Sequence, residues 1–226
     1  MENVDNDITI AKLRSKIYSL LARGFKEINE DHFNYLSSQY ISEWHGVIEY
    51  LQGGEEFLPL LQKVQKALDV SSLDSLSDES YNLFSSTGRM LAMPCEMEYV
   101  KETPQHTMSQ QAELADIAGF YRAFGLDVAS TTPERVDHIA TELEYIHVMA
   151  LKEATALINN DAENACIVVD AQRKFINDHL GRWVDKFKER LIQNPISEFY
   201  ATLGEMLVLW INIDKALLFE QTGENK

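Results

Sequence analysis

The residue types best suited to chemistry are concentrated in one short segment, residues 133–138, which reads Pro-Glu-Arg-Val-Asp-His. Glu134, His138 and Glu142 are spaced by four residues, so on an α-helix they lie on one face. Such a face forms an acidic, histidine-bearing patch suited to binding a guanidinium group or a backbone amide. The same residues are also typical of a capped helix start with solvated charges. The spacing leaves both interpretations open.

A second set of residues has the spacing of a metal site. Glu144 and His147 form a Glu-x-x-His segment, which di-iron helix bundles use in pairs together with two further glutamates. None of the other five histidines has a glutamate three residues before it. The patterns Cys-x-x-Cys and His-Glu-x-x-His, typical of zinc sites, are absent. We therefore predict no metal site and no bound cofactor.

Sequence motifs of nucleophilic and nucleotide chemistry are also missing. The chain has no Gly-x-Ser-x-Gly elbow, no Gly-x-Gly-x-x-Gly loop and no Gly-Lys-Ser/Thr phosphate loop. Cys95 lies beside Glu96 without a local base that would activate its thiol. These features predict no catalytic residues and favour a binding protein over an enzyme.

Helical periodicity runs through nearly the whole chain, and no segment has the sustained alternation of a strand. We predict an all-α, single-domain bundle of roughly eight to nine helices over residues 1–226. Ser75 or Ser77 is expected to cap a helix that ends at Phe84, and Thr132 to cap a helix that begins at Pro133. The other helices are expected at about residues 7–23, 31–51, 55–68, 109–124, 133–159, 162–193 with a bend near Gly181, and 195–221.

Residues 85–108 interrupt the helical pattern and predict a long loop. Loops of this length in compact domains are usually functional or disordered, and the aromatic and apolar residues here argue against disorder. Tyr81, Phe84 and Tyr99 flank the loop and suit the lining of an apolar groove for a partner peptide. Burial of these three aromatic rings in the hydrophobic core is an equally open interpretation.

The charge composition of the chain restricts the classes of molecule that it can bind. The 20 Lys and Arg residues against 36 Asp and Glu give a formal net charge of -16. Such a chain repels nucleic acid and anionic membrane surfaces, and it attracts a cationic partner such as an arginine-bearing peptide, although solubility alone also explains the charge. The acidic N-terminus differs from a secretory signal, and no stretch approaches the roughly 18 apolar residues of a membrane span. We expect a cytoplasmic protein whose two cysteines stay reduced.

Several segments, taken in order, resemble motifs of the TorD/DmsD/NarJ family of redox-enzyme maturation chaperones. Residues 134–138 are similar to the family's Glu-x-Pro-Asp-His signature, with Val136 at the proline position, and residues 142–145 are similar to its Glu-Leu-Glu-Phe continuation. Residues 94–99 resemble Pro-Tyr-Glu-Ser/Thr-x-Tyr, with Cys95 at the aromatic position.

The resemblance covers about residues 75–185. Leu83-Phe84 is similar to the end of an aromatic-x-x-Leu-Phe motif, and Tyr81 lies one residue later than the aromatic position. Residues 120–126 resemble the aromatic-Gly-Leu stretch, and residues 175–183 the Phe-x-x-x-His-Leu-x-x-Trp pattern.

This resemblance implies a chaperone rather than an enzyme. It implies that the protein binds the twin-arginine signal peptide, or the N-terminal region, of a molybdopterin-dependent oxidoreductase and assists cofactor insertion before export. It further implies a monomer or a helix-swapped dimer, with residues 126–132 as a hinge. The residues expected to bind the client or support its site are Pro133, Glu134, Asp137, His138, Tyr81, Leu83, Phe84, Glu96 and Tyr99.

Three alternatives remain open at this stage. One is a helical interaction scaffold for another partner. Another is a metal-dependent helical-bundle oxidoreductase that uses Glu144 and His147. Within the family, the client is either exported or retained in the cytoplasm in the manner of a nitrate reductase.

Overall fold

The computed structural model describes residues 2–85, 87–100, 109–128 and 135–220. Within these ranges the regular structure is helical, apart from one isolated β-bridge between Cys95 and His138. The all-α prediction is confirmed. The α-helices are α1 (Glu2–Gly24), α2 (Glu30–Tyr35), α3 (Ile41–Ile48), α4 (Leu58–Val70), α5 (Leu73–Phe84), α6 (Gln110–Ala123), α7 (Ile139–Ile158), α8 (Ala162–Asp178), α9 (Val184–Gln193) and α10 (Glu198–Glu220).

Shorter helical turns link several of these elements. A π-helical turn at Leu36–Tyr40 joins α2 to α3, so the single helix predicted for residues 31–51 contains a change of pitch and ends near Ile48. Turns of 3-10 helix lie at Gly54–Phe57, Glu96–Glu98 and Leu180–Arg182.

The bundle is organised around α1 and α7, which pack along one another, with α8 against α7 and with α10 against α4 and α9. One cluster of buried side chains extends from Ile17 in α1 to Leu218 in α10 and includes Trp44, Trp183 and Trp210, all fully buried. Burying these large rings supplies much of the hydrophobic free energy that holds the helices together. A single core agrees with one domain over residues 1–226, which stays a prediction.

The start of α5 differs from the sequence prediction. Ser72, rather than Ser75 or Ser77, is the N-cap: its hydroxyl accepts from the Ser75 N–H at 3.1 Å, and the Ser75 hydroxyl accepts from the Ser72 N–H at 2.8 Å. This reciprocal capping box satisfies two backbone donors, so the helix begins earlier than predicted.

The start of α7 is also corrected. His138 is the N-cap, with Nδ1 accepting from the Ala140 N–H at 3.2 Å, so the helix begins at Ile139 and not at Pro133. Arg135 and Val136 precede it in a turn, in which the His138 N–H donates to the Arg135 carbonyl at 3.1 Å. His138 therefore lies before the helix that carries Glu142, so the helical face predicted to join these two residues is wrong. Residues 129–134, which include the predicted cap at 132, lie outside the described residues.

The bend predicted near Gly181 is confirmed, since α8 ends at Asp178 and α9 begins at Val184. A Cβ at Gly181 would lie 2.5 Å from the Ile176 carbonyl oxygen, so the turn requires glycine at this close approach. The last helix begins at Glu198 rather than near 195. None of the helices in the described ranges combines the length and the hydropathy needed to cross a bilayer.

Candidate functional site

A groove of about 520 Å³ opens between the end of α1, one face of α5 and the segment that follows α5. We call it the first groove. Helix α5 contributes positions spaced three, four and seven residues apart, which fall on one helical face. The lining residues are Phe25, Glu27, Ile28, Ser77, Ser80, Tyr81, Phe84, Ser85, Met93, Pro94, Cys95, Arg135 and His138.

The segment after α5 folds back along that helix and forms one wall of the groove. The Ala92 N–H donates to the Leu83 carbonyl at 2.8 Å, so residue 92 is held beside the last turn of α5. Gly88 permits the reversal, because a Cβ there would lie only 2.3 Å from the Tyr81 carbonyl oxygen. The predicted loop is structured over residues 87–100, and residues 101–108 lie outside the described part.

An isolated β-bridge brings together two of the segments that carry the family resemblance. The Glu96 N–H donates to the Asp137 carbonyl at 2.9 Å, and the Ile139 N–H donates to the Pro94 carbonyl at 2.8 Å. Both hydrogen bonds join the loop to the start of α7, and they place Cys95 and His138 side by side in the first groove.

His138 is a neutral group at the groove. Its Nδ1 accepts the capping hydrogen bond from Ala140, so the ring proton is assigned to Nε2. Burial, and after it the positive charge of Arg135, lower the pKa of His138 to about 4. At neutral pH this side chain therefore adds no charge to the groove.

Cys95 lies in the same wall as an unreactive thiol. Burial, with a smaller effect of the Asp137 carboxylate, raises the pKa of Cys95 to about 12. A thiol of such high pKa is a poor nucleophile at neutral pH. Both cysteines are free, and Cys166 is exposed on α8.

Asp137 occupies a different position from the one predicted. It is fully buried, and its two oxygens accept from the Nε and a terminal nitrogen of Arg135, each at 2.8 Å. It also accepts from the Met97 N–H at 3.2 Å. The expectation that this carboxylate faces a bound peptide is therefore corrected: Arg135, not Asp137, lines the groove, because the acid is enclosed by its own neighbours.

A group of buried and partly buried ionisable side chains holds the same loop to the helices. Arg182 donates to Glu96 through Nε and to Glu113 through a terminal nitrogen at 2.5 Å. His179 lies with Nδ1 3.3 Å from Glu96 and Nε2 3.1 Å from Asp116. We call Glu96, Glu113, Glu142, His179 and Arg182 the loop cluster.

Glu142 is the acid of this cluster whose charged form is least favoured. It is fully buried, and it accepts from the Trp183 Nε1–H at 3.1 Å. Burial, followed by the negative charge of Glu96, raises the pKa of Glu142 well above its ordinary range. This shift favours the protonated carboxyl group, which reduces the repulsion between two buried acids.

Leu83 and Tyr99 support the groove from behind. Leu83 is buried in the core at 1% exposure, and Tyr99 is buried with its ring stacked on Trp183 at 5.3 Å between centroids. Tyr81 and Phe84 line the groove itself, with Tyr81 49% exposed. Pro133 and Glu134 lie outside the described residues.

The residues with metal-site spacing bind other partners. Glu144 pairs with Lys26 at 2.5 Å, and His147 Nδ1 lies 2.8 Å from the Ser15 hydroxyl. In the loop cluster, single ligand atoms of Glu96, Glu113 and His179 lie within 4.8 Å of one another. The guanidinium of Arg182 already binds both of those carboxylates and supplies the positive charge that a metal ion would otherwise provide.

A second groove, of about 430 Å³, lies on the other side of the connection between α1 and α2. Phe25 and Ile28 line the first groove, Lys26 and Asn29 line the second, and Glu27 lines both. The rest of the second groove comes from α6, α7 and the residues that follow α6: Tyr121, Leu126, Asp127, Val128, Thr141, Glu144, Tyr145 and Val148. Sequence patterns did not indicate this groove.

Comparison with known proteins identifies the class. The chain belongs to the family whose model is described as nitrate reductase delta subunit, which matches residues 49–189. The resemblance to the TorD/DmsD/NarJ chaperones is thereby confirmed. The matched region contains α5, the first groove's loop wall and the loop cluster.

Two relatives extend the similarity to nearly the whole chain, and both are named chaperones rather than enzymes. The perchlorate reductase assembly chaperone protein of Dechloromonas aromatica (strain RCB) is 25% identical over 230 residues, covering 97% of this chain and 95% of that protein. The chaperone protein TorD of Shewanella piezotolerans (strain WP3 / JCM 13877) is 24% identical over 211 residues, covering 91% and 92%.

A solved structure shows the same fold. The crystal structure of an Archaeoglobus fulgidus protein described as a redox enzyme maturation protein aligns with a TM-score of 0.51. The alignment covers 89% of this chain and 93% of that chain at 18% sequence identity. The helical architecture is therefore shared even where few residues are identical.

Proposed function

We propose that this protein is a cytoplasmic maturation chaperone, which binds the signal peptide or N-terminal region of a molybdopterin-dependent oxidoreductase precursor while the cofactor is inserted. The observation that carries the proposal is the first groove, whose walls come from two segments of the family resemblance. Relatives that cover almost the whole chain are named as chaperones, one of them as a reductase assembly chaperone, which supports the same role.

The lining of the first groove suits an apolar peptide segment. Phe25, Ile28, Phe84 and Met93 supply apolar surface, and the volume of about 520 Å³ accommodates several side chains of a peptide. Serine hydroxyls and the neutral ring of His138 offer hydrogen bonds to the peptide backbone. Apolar grooves of this kind bind peptides as helices or extended strands.

The candidate residues take two roles in this proposal. Tyr81, Phe84 and His138 contact the client directly, since they line the groove. Leu83, Glu96, Tyr99 and Asp137 position the wall from within the protein, since all four are buried. Pro133 and Glu134 remain proposed contributors on the resemblance alone.

The first experiment is recovery of the chaperone from the native cell extract, with bound proteins identified by mass spectrometry. We expect a molybdopterin oxidoreductase precursor whose N-terminal signal is uncleaved. Recovery of a mature molybdoenzyme that has no signal would indicate a retained client instead. Unrelated partners, or none while the client is expressed, would contradict the chaperone proposal and favour a scaffold.

A double variant, Tyr81→Ala with His138→Asn, tests the site. Tyr81 is 49% exposed, and asparagine is a favourable N-cap that removes the imidazole ring, so the fold is expected to persist. Client affinity is expected to fall about tenfold, the effect of losing one buried aromatic contact. The control is Tyr50→Ala, which removes a 69% exposed ring outside the groove. Equal client binding by both variants, each with the parent's circular dichroism spectrum, would exclude this site.

A further inference from the structure

The two grooves differ in charge. The charged residues that line the first groove are Glu27 and Arg135, whose opposite charges cancel. Arg135 is 41% exposed there, although Asp137 and Glu98 hold it from behind at 2.8 and 3.8 Å. An arginine-bearing segment placed in this groove would meet a fixed guanidinium of the same sign. The first groove therefore suits the apolar part of a signal peptide and disfavours its basic part.

The second groove has an excess of negative charge. Glu27, Asp127 and Glu144 face one ammonium group, that of Lys26, so the lining carries a net charge of -2. Glu27 and Asp127 are exposed, and the pair of Glu144 with Lys26 is also accessible, with both side chains nearly half exposed. These carboxylates are available to a cationic ligand and attract it from solution.

The wall of the second groove also contains an unpaired polar group. Tyr145 is 3% exposed, and its hydroxyl oxygen has no hydrogen-bond partner among the described residues. The neighbouring Tyr121 hydroxyl, by contrast, donates to the Val136 carbonyl at 2.7 Å. Burying a hydroxyl without a hydrogen-bond partner destabilises the folded protein, and a ligand that hydrogen bonds to this group removes that cost. Two tyrosine rings beside carboxylates are also a favourable setting for guanidinium groups, which stack on aromatic faces.

We infer that the two grooves together form one bipartite site, in which the second groove binds the arginine pair of a signal peptide and the first groove binds its apolar stretch. The peptide crosses the connection between α1 and α2 at Glu27, the residue common to both linings. In a signal peptide the basic residues precede the apolar stretch, so the order of the grooves fixes the direction of the chain. This inference rests on the proposed function.

The test compares two labelled synthetic peptides by fluorescence anisotropy. One has two consecutive arginines followed by about ten alanine and leucine residues; the other has glutamines in place of both arginines. The protein variant combines Glu27→Gln, Asp127→Asn and Glu144→Gln, which keep side-chain shape and remove the charge. A matched control neutralises three exposed acids outside both grooves, Glu49→Gln, Glu56→Gln and Glu163→Gln.

We expect the groove variant to lose about tenfold in affinity for the arginine peptide, the sum of several exposed ion pairs. Its affinity for the glutamine peptide should change less than about twofold, because no charge remains to be lost. The control variant should bind both peptides like the parent protein. Raising the salt concentration should weaken binding of the arginine peptide to the parent more than to the groove variant.

The outcomes separate this inference from the proposed function. If the parent binds both peptides and the groove variant binds the arginine peptide equally well, the arginines do not lie in the second groove. An equal loss in the control variant would show that net charge, and not this site, attracts the peptide. If the parent binds neither peptide, signal-peptide binding itself is contradicted.

Discussion

Among the described residues, the fully buried Arg14 and the partly buried Arg182 each bind two carboxylates, in different parts of the fold. Arg14 of α1 binds Glu153 of α7 at 2.7 Å and also binds Asp214 of α10. Arg182, in the turn after α8, binds Glu96 and Glu113. The first site joins long helices to one another, whereas the second fastens the wall of the first groove to the helices.

The two sites differ in how completely they are enclosed by the protein. Around Arg14, the side chain of Gln172 accepts from the guanidinium and donates to Glu153, each at 2.8 Å, and Tyr18 donates to Asp214 at 2.7 Å. We call these five residues the body cluster. The loop cluster is less enclosed: the Arg182 side chain is 22% exposed, and Asp116, which lies 3.1 Å from His179 Nε2, is 51% exposed.

The difference indicates separate roles. A fully paired network of charges in the core fixes the arrangement of the helices around it, because any displacement leaves a buried charge unpaired. A network that water reaches costs less to rearrange, because water solvates a charge that loses its partner. The body cluster therefore contributes more to the stability of the bundle, while the loop cluster holds the wall of the first groove at a smaller energetic stake.

The largest expected effect comes from Arg14→Met. Removing the guanidinium leaves Glu153 and Asp214 as buried carboxylates without a counter-ion, so we expect a loss of about 3–5 kcal/mol in the free energy of unfolding. Urea unfolding followed by circular dichroism measures this loss. Arg23→Met is the control, because Arg23 lies on the same helix with its side chain 43% exposed, and it should cost about 1 kcal/mol or less. Similar losses of stability in the two variants would contradict the large contribution expected of the buried Arg14 pairs.

Arg182→Met should have the second largest effect, a loss of about 2–3 kcal/mol. The cost is smaller than for Arg14 because the Arg182 side chain is 22% exposed, so water partly solvates the carboxylates left behind. Client affinity should also fall, since the groove wall loses its attachment. Arg122→Met, an exposed arginine of α6, serves as the control. A loss as large as that of Arg14→Met would contradict the proposed ranking of the two clusters.

Glu142→Gln tests the protonated acid in the loop cluster. Since the folded-state pKa of Glu142 is raised, its contribution is complete below the unfolded value of about 4.5 and is lost as the pH rises towards the folded-state pKa. Glutamine imitates the protonated form at every pH. We expect nearly equal stability at pH 5 and an advantage of about 1–2 kcal/mol for the variant at pH 7. If the variant is less stable than the parent by the same amount at pH 5 and at pH 7, Glu142 is ionised in the folded protein.

The smallest expected effect concerns His138→Asn. Because the pKa of His138 is lowered to about 4, its neutral form stabilises the fold above the unfolded value of 6.5, and that contribution is lost as the pH falls towards 4. Between pH 7 and pH 5 the free energy of unfolding should therefore fall by about 1 kcal/mol less in the variant than in the parent. This figure is reduced from the full effect of the pKa shift because the ring is partly exposed to water. An imidazole titration by NMR gives the pKa directly, and a midpoint near 6.5 would refute this assignment.

Much of the architecture was predictable because it depends on local periodicity. The helical pattern, the bend at Gly181 and the end of the α-helix at Phe84 are all present in the structure. The burial of Arg14 was also detectable, although sequence analysis overlooked it. Ile10, Arg14 and Ile17 are spaced by four and three residues, so the arginine lies within the apolar stripe of α1.

The candidate site was predictable in part. Tyr81, Phe84 and His138, three of the residues proposed from the family resemblance, line the first groove together. The orientation of Asp137 was not predictable, because it depends on where Arg135 and the Met97 N–H lie after the loop has folded against α7.

The sequence by itself determined the helices, their approximate ends, the acidic charge and the family. The tertiary structure alone decided which acids are buried, which arginine neutralises them and that a second groove exists. The physical reason is the distance along the sequence between the residues that interact. Helix formation and capping involve residues three or four apart. The Arg182–Glu96 and Arg14–Asp214 pairs, by contrast, join residues that are 86 and 200 positions apart. Such pairs arise only when packed helices exclude water from both partners, and no periodic pattern specifies them.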